Sequence, residues 1–147
     1  MAGVMAKRRG RTLECARERL DALMVEYDMY ISRCRFIRMP EVFEYIVNRP
    51  CARFWVSEIR ASVVISNMIK GFINPNMHPS KREMYDEIYR RVLRLRDAFP
   101  NLSLFRLVSK AIRQPAPKFY LSPSSAKIMI YKYRKEWYER KRQKRLR

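Results

Sequence analysis

Glycine is nearly absent, with three in 147 residues. Tight two-residue hairpins need residues at positive φ, so a chain this poor in glycine is not built from hairpin-joined sheets, and it has no Gly-rich phosphate loop or flexible linker. Histidine is scarcer still, since His78 stands alone in the stretch NPNMHPS. A His-based acid–base pair or a His/Cys metal set is therefore not expected, and His78 reads as a loop bystander. Cysteine is confined to Cys15, Cys34 and Cys51, an odd number without close spacing, which argues against a disulfide framework and for a reducing compartment. No apolar run reaches about 18 residues and MAGVMAKRRGRT lacks an apolar signal region, so we expect neither a membrane span nor a signal peptide, and a cytoplasmic location. Acidic residues are few as well: 14 Asp and Glu against 33 Lys and Arg give a net charge of +19.

What is present is a fold-competent composition, 48% hydrophobic and 12% aromatic. A chain of this length buries roughly 68–70% of its unfolded surface and can build a core without staples. The excess positive charge repels itself unless an anionic partner absorbs it, and nucleic acid is the simplest such partner.

The sequence repeats itself. Shifted by 65 residues, RPCARFWVSEIRASVVISNMIK (49–70) lies without a gap over QPAPKFYLSPSSAKIMIYKYRK (114–135), and six of the 22 positions are identical. The shared proline, Pro50 with Pro115, the aromatic pairs Phe54–Trp55 and Phe119–Tyr120, and the serines Ser57 and Ser122 fall outside simple helical periodicity. We therefore expect an all-α protein of two tri-helical units, 1–72 and 73–147, with six helices and no substantial sheet. The first copy starts at a Thr12 cap with Leu13, Ala16, Leu20, Leu23, Tyr27 and Ile31 on one face. A short helix then opens at Pro40, and a third, capped by Ser57, ends before Gly71. In the second copy, Ser80 with Glu83 reads as a capping box, Leu104 to Ile112 as the short helix, and Ser122 with Pro123 as the start of a long basic C-terminal helix.

Charge is uneven between the copies. Residues 1–70 hold 13 basic and 8 acidic side chains, a net +5, whereas 71–147 hold 20 and 6, a net +14. The last 16 residues, KYRKEWYERKRQKRLR, supply +7 of this from nine basic and two acidic residues. Such a segment tracks phosphates and makes binding salt-dependent.

The paired segments VFEYIVNRP with SEIRASVVISNMIK, and LVSKAIRQP with SPSSAKIMIYKYRK, resemble the helix-turn-helix of small DNA-binding proteins of phage or mobile-element type. The resemblance is topological, and the connector from Arg49 to Val56 is about twice the usual turn. It implies that the third helix of each copy is the reader. The expected nucleic-acid contacts are then Arg53, Ser57, Arg60 and Asn67 in the first copy. In the second they are Lys118, Ser122, Ser124, Ser125, Lys127, Lys132, Arg134 and Lys135, continuing into the tail with Arg140, Lys141, Arg142, Lys144 and Arg145. Arg60 and Asn67 suit guanine and adenine edges, and the second copy suits a backbone clamp. Each aromatic pair either plugs its unit's core or stacks on bases.

No catalytic residue, metal ligand, cofactor or small-molecule substrate is expected. The leading expectation is a non-enzymatic DNA-binding regulator or accessory factor, DNA being favoured over RNA, with a homodimer or larger assembly as a further possibility. The alternatives are an assembly protein that holds RNA or DNA in a ribonucleoprotein or virion, and a basic accessory subunit of a nucleic-acid enzyme. The modestly charged, Met-rich first half is either a second reader or a protein docking face.

Overall fold

The computed structural model describes the backbone of residues 2–146 and the side chains of residues 15–146. It is all-helical: α1 (Ala2–Arg33), α2 (Met39–Val47), α3 (Glu58–Ile69), α4 (Pro79–Ala98), α5 (Leu104–Ile112) and α6 (Pro123–Arg145). The β-pairing among the described residues is one isolated antiparallel bridge between Cys51 and Ala116.

Local chemistry sets most helix ends. Ser57, Ser103 and Ser122 are N-caps whose hydroxyls accept from the backbone N–H three residues on, at Arg60, Arg106 and Ser125. Each such cap is worth about 1 kcal/mol. Pro40 and Pro123 occupy first-turn positions, where a missing N–H costs nothing.

Two starts differ from the sequence expectation. The backbone of α1 is already helical at Ala2, so Thr12 lies inside the helix, and the Thr12 and Leu13 side chains are outside the described residues. Apart from Gly3 and Gly10, the residues ahead of Thr12 include no strong helix breaker, and Ala, Met, Lys and Arg all favour continuation. The capping box at Ser80 is also replaced. His78 is the N-cap, Pro79 opens α4, and the His78 imidazole accepts from the Ser80 N–H through Nδ1 at 3.2 Å. The proline with its preset φ starts the helix two residues early, which puts Ser80 inside the first turn.

The helices sort into two cores, and each core draws on both sequence copies. One holds α4 and α5 with α3, around Ile65, Ile88, Val108 and Ile112. The other holds α1 and α2 with α6, around Leu23, Phe43, Ile46 and Ile130. The stretches 1–72 and 73–147 thus exchange their third helices, and α3 does not touch α6.

The connectors make the exchange, and their contacts are reciprocal. Cys51 and Ala116, 65 residues apart, trade both backbone bonds at 3.0 and 2.9 Å. Phe54 N–H donates to Ile112 C=O at 2.9 Å, and Phe119 N–H donates to Val47 C=O at the same distance. Phe54 stacks on Tyr120 with ring centres 5.9 Å apart, and Trp55 on Phe119 at 6.5 Å. Phe54, Phe119 and Tyr120 are buried and Trp55 is half-buried, so these rings close the crossing and are not free for bases. Helix ends follow the same offset, since Arg33, Met39, Val47 and Glu58 match Ala98, Leu104, Ile112 and Pro123.

One glycine breaks the correspondence. Gly71 sits at φ +85°, and the Gly71 and Phe72 N–H groups cap α3 by donating to Met68 and Asn67 carbonyls. This is the paired C-terminal capping pattern that needs a left-handed residue. Glu136 takes the corresponding place in the second copy, so α6 continues to Arg145. Nothing lies within 4 Å of a Cβ built on Gly71. Gly71→Ala is therefore expected to cost about 1 kcal/mol, from the left-handed backbone alone. The midpoint of urea unfolding, at unchanged slope, measures it.

Candidate nucleic-acid interface

The exposed side of α6 carries the densest set of the expected contacts. Its inner stripe, Ala126, Ile130 and Tyr133, is buried against α1 and α2, and Trp137 and Tyr138 continue it half-buried. Two carboxylates of α1, seven residues apart and so two turns along one face, lock the outer half in register. Asp21 accepts from the Tyr133 hydroxyl at 2.8 Å and from Arg140 at 3.2 Å. Asp28 accepts from the Tyr138 hydroxyl at 3.0 Å and from Lys141 at 3.0 Å. Arg17 and Glu136 add a pair at 3.4 Å.

These contacts change the standing of two expected contact residues. Arg140 and Lys141 face α1 rather than open solvent, so they position the helix. Half-exposed ion pairs are worth at most about 1 kcal/mol, so their main consequence is orientation. The sequence holds a faint signal for this arrangement, because Asp21 and Asp28 stand seven residues apart and so on one face of α1.

With that face fixed, Ser124, Ser125, Lys127, Lys132, Arg134, Lys135, Arg142, Lys144 and Arg145 are exposed. Lys127 and Arg134 flank the partly exposed ring of Tyr131, at 5.8 and 4.5 Å from its centre, and Phe43 meets the ring edge-on. Among the described residues Lys132, Lys135, Arg142, Lys144 and Arg145 have no ion-pair partner within 4.0 Å. Free cations along about four turns of helix can follow a phosphate backbone.

The other expected contacts lie elsewhere. Arg53 donates to the Phe54 and Val56 carbonyls, both at 3.0 Å, and lies over Trp55, so it braces the crossing. Its counterpart Lys118 pairs with Glu83 and covers Tyr120. The Ser57 and Ser122 hydroxyls are used as caps. Arg60 and Asn67 are exposed on α3, in the other core, and line an apolar groove.

Set against protein-family models, curated proteins and solved structures, the chain matches none of them. The site is therefore read from its own geometry. Among the described residues no group of three or more His, Cys, Asp or Glu side chains could hold a metal, and no helix is long and apolar enough to cross a membrane. The Cys15, Cys34 and Cys51 thiols are free.

Burial sets the titration of the ties. Burial opposes ionisation of Asp28, but hydrogen bonds from Lys141 and Tyr138 outweigh it and hold the carboxyl below its usual range. The Tyr138 hydroxyl is pushed up to about 12 by burial and by its bond to Asp28, and Tyr120 to about 12 by burial and by the nearby charges of Glu87 and Glu83. A phenol with a raised folded value contributes stability that is complete below its unfolded value of 10.0 and is lost as pH rises toward about 12. The stability that these two phenols contribute is thus expected to hold up to about pH 10 and to fall above it, as read from denaturant midpoints. Replacing Tyr138 with Phe should reduce the slope of that fall.

Proposed function

We propose that this chain is a non-enzymatic nucleic-acid-binding protein that holds double-stranded DNA along the exposed side of α6. The observation that carries the reading is the set of exposed α6 cations that have no ion-pair partner among the described residues, on a helix whose other face is tied to α1 by Asp21 and Asp28. Cations carried on a helix that is already formed and seated spare the cost of ordering the backbone on meeting a phosphate chain, and the net charge of +19 steers a polyanion toward them.

The reciprocal backbone bonds and the common offset of helix ends support descent from a duplicated three-helix segment whose copies have exchanged their last helices. The two last helices then divide the work. α6 carries the phosphate-facing cations, whereas the outward side of α3 presents Ile59, Val63 and Ile69, each roughly half exposed. A single charged reader predicts one asymmetric contact site on DNA rather than two half-sites.

Binding of the whole protein to duplex DNA, single-stranded DNA and structured RNA of equal length, at about 0.15 M salt, tests this reading. We expect the duplex to be held most tightly, with log affinity falling linearly in log salt. Preference for structured RNA would replace DNA with RNA as the ligand, and salt-independent or absent binding to all three would overturn the reading.

A further inference from the structure

The side of the molecule centred on α3 carries a second surface, of opposite character to α6. Val63, Phe72 and Ile73 stand side by side at 50%, 75% and 47% exposure, where most proteins would cover them. Together with Met68 and Met77 they line a groove of about 280 Å³ between α3, the 71–77 connector and the start of α4. The apolar strip continues past Val63 and Asn67 to Phe105 on α5, itself 46% exposed. Gly71 creates the groove by ending α3 and turning Phe72 and Ile73 back beside it.

The rim says what fits. Arg60 and Arg82 border the groove, against Asp86 as the one carboxylate in its lining. A second copy of this chain meets that rim badly. Among the described residues its most exposed apolar side chains away from this face are Phe36, set among Arg33, Arg35 and Arg38, and Leu146, which follows Lys144 and Arg145. Either would bring cations against Arg60 and Arg82, and like charges at a contact are costly. The lining is mainly apolar, with Asn67, Asn74 and Tyr85 between the apolar side chains, and two arginines facing one carboxylate hold a phosphate backbone less well than the unopposed cations of α6.

We propose that this groove docks an acidic, amphipathic segment of another protein, two apolar side chains entering beside Val63 and Phe72 and flanking carboxylates meeting Arg60 and Arg82. The segment is helical, because anchors three or four residues apart on one face match a groove that runs along α3. The binding of nucleic acid by α6 and of protein by the α3 groove are independent, so either stands if the other fails.

The test is selection of displayed random peptides of about a dozen residues (some three helical turns) on the full-length protein, with counter-selection on the folded variant Val63→Ser/Phe72→Ser. Peptides held only by the basic tail are removed in the second step. We expect recovered peptides to carry paired apolar residues with Asp or Glu, and to lose roughly tenfold or more in affinity for Arg60→Glu/Arg82→Glu. Exchanging their acids for Lys should restore binding to that charge-reversed variant. No enrichment over the counter-selected background, enrichment of neutral or basic peptides, or indifference to charge reversal would overturn the proposal. Concentration-dependent self-association that disappears in Val63→Ser/Phe72→Ser would overturn it in favour of a second copy.

Discussion

Replacing Ile88 with alanine is expected to destabilise both cores, although Ile88 touches only one. Ile88 is fully buried on α4 among α3 and α5. Removing its branched side chain costs about 2–5 kcal/mol from lost burial and the cavity left behind. At this chain length that lowers the melting temperature by roughly 5–15 °C. Trp55 and Trp137 both pack against the other core, so their fluorescence reports the unmutated side. In two independent units of consecutive sequence, those tryptophans would melt as in the parent. Here α3 and α6 are exchanged, and the chain passes directly from Phe119, in one core, to Tyr120, in the other. We expect the tryptophan transition to move together with the loss of helix, in a single step. A three-helix set of about 65 residues buries only around 60% of its surface, which leaves it marginal without its counterpart. A tryptophan transition that stays in place while part of the helix signal melts early would show the cores to be separable.

The sequence makes the helices legible and conceals how they pair. Apolar spacing, the Ser57 and Ser122 caps and the prolines place α2, α3, α5 and α6 within a residue or two, because these signals act over one or two turns. The start of α4 misleads for the same reason, as Ser80 and Glu83 satisfy a local pattern that Pro79 pre-empts. Partner choice is not local. Nothing in the apolar stripe of α3 states whether it meets α2 or α5, since both present similar faces: Val42, Ile46 and Val47 in one, Leu107, Ala111 and Ile112 in the other. The hint lies in the connector, which is about twice as long as the turn of the motif it resembles. It also repeats Pro, Phe and a second aromatic that a simple turn has no use for. Those residues form the reciprocal crossing. The candidate site is half legible. Total charge points to the tail, but the cations spent on α1, Arg140 and Lys141, can be told from the free ones only once Asp21 and Asp28 are placed beside them.

That distinction sets the second large effect. Replacing Lys132, Lys135, Arg142, Lys144 and Arg145 together with glutamine is expected to weaken duplex binding by roughly a hundredfold or more at about 0.15 M salt. Every phosphate left without its cation takes about 0.9 from the slope of log affinity against log salt, so the slope should flatten by up to about 4.5. Glutamine is nearly as good a helix former as Lys and Arg, and Arg140 and Lys141 are left in place, so α6 keeps its seat on Asp21 and Asp28. The control removes the same number of positive charges from α4 and α5, at the exposed Lys81, Arg94, Arg96, Arg106 and Lys110. Its net charge equals that of the α6 variant, so any effect of the overall field is matched. If α6 is the interface, the control keeps its slope and loses affinity only through weaker steering, which acts on the association rate. Equal losses in the two variants would mean that DNA senses the charge of the whole surface, and the ordered row on α6 would then have no special part in binding.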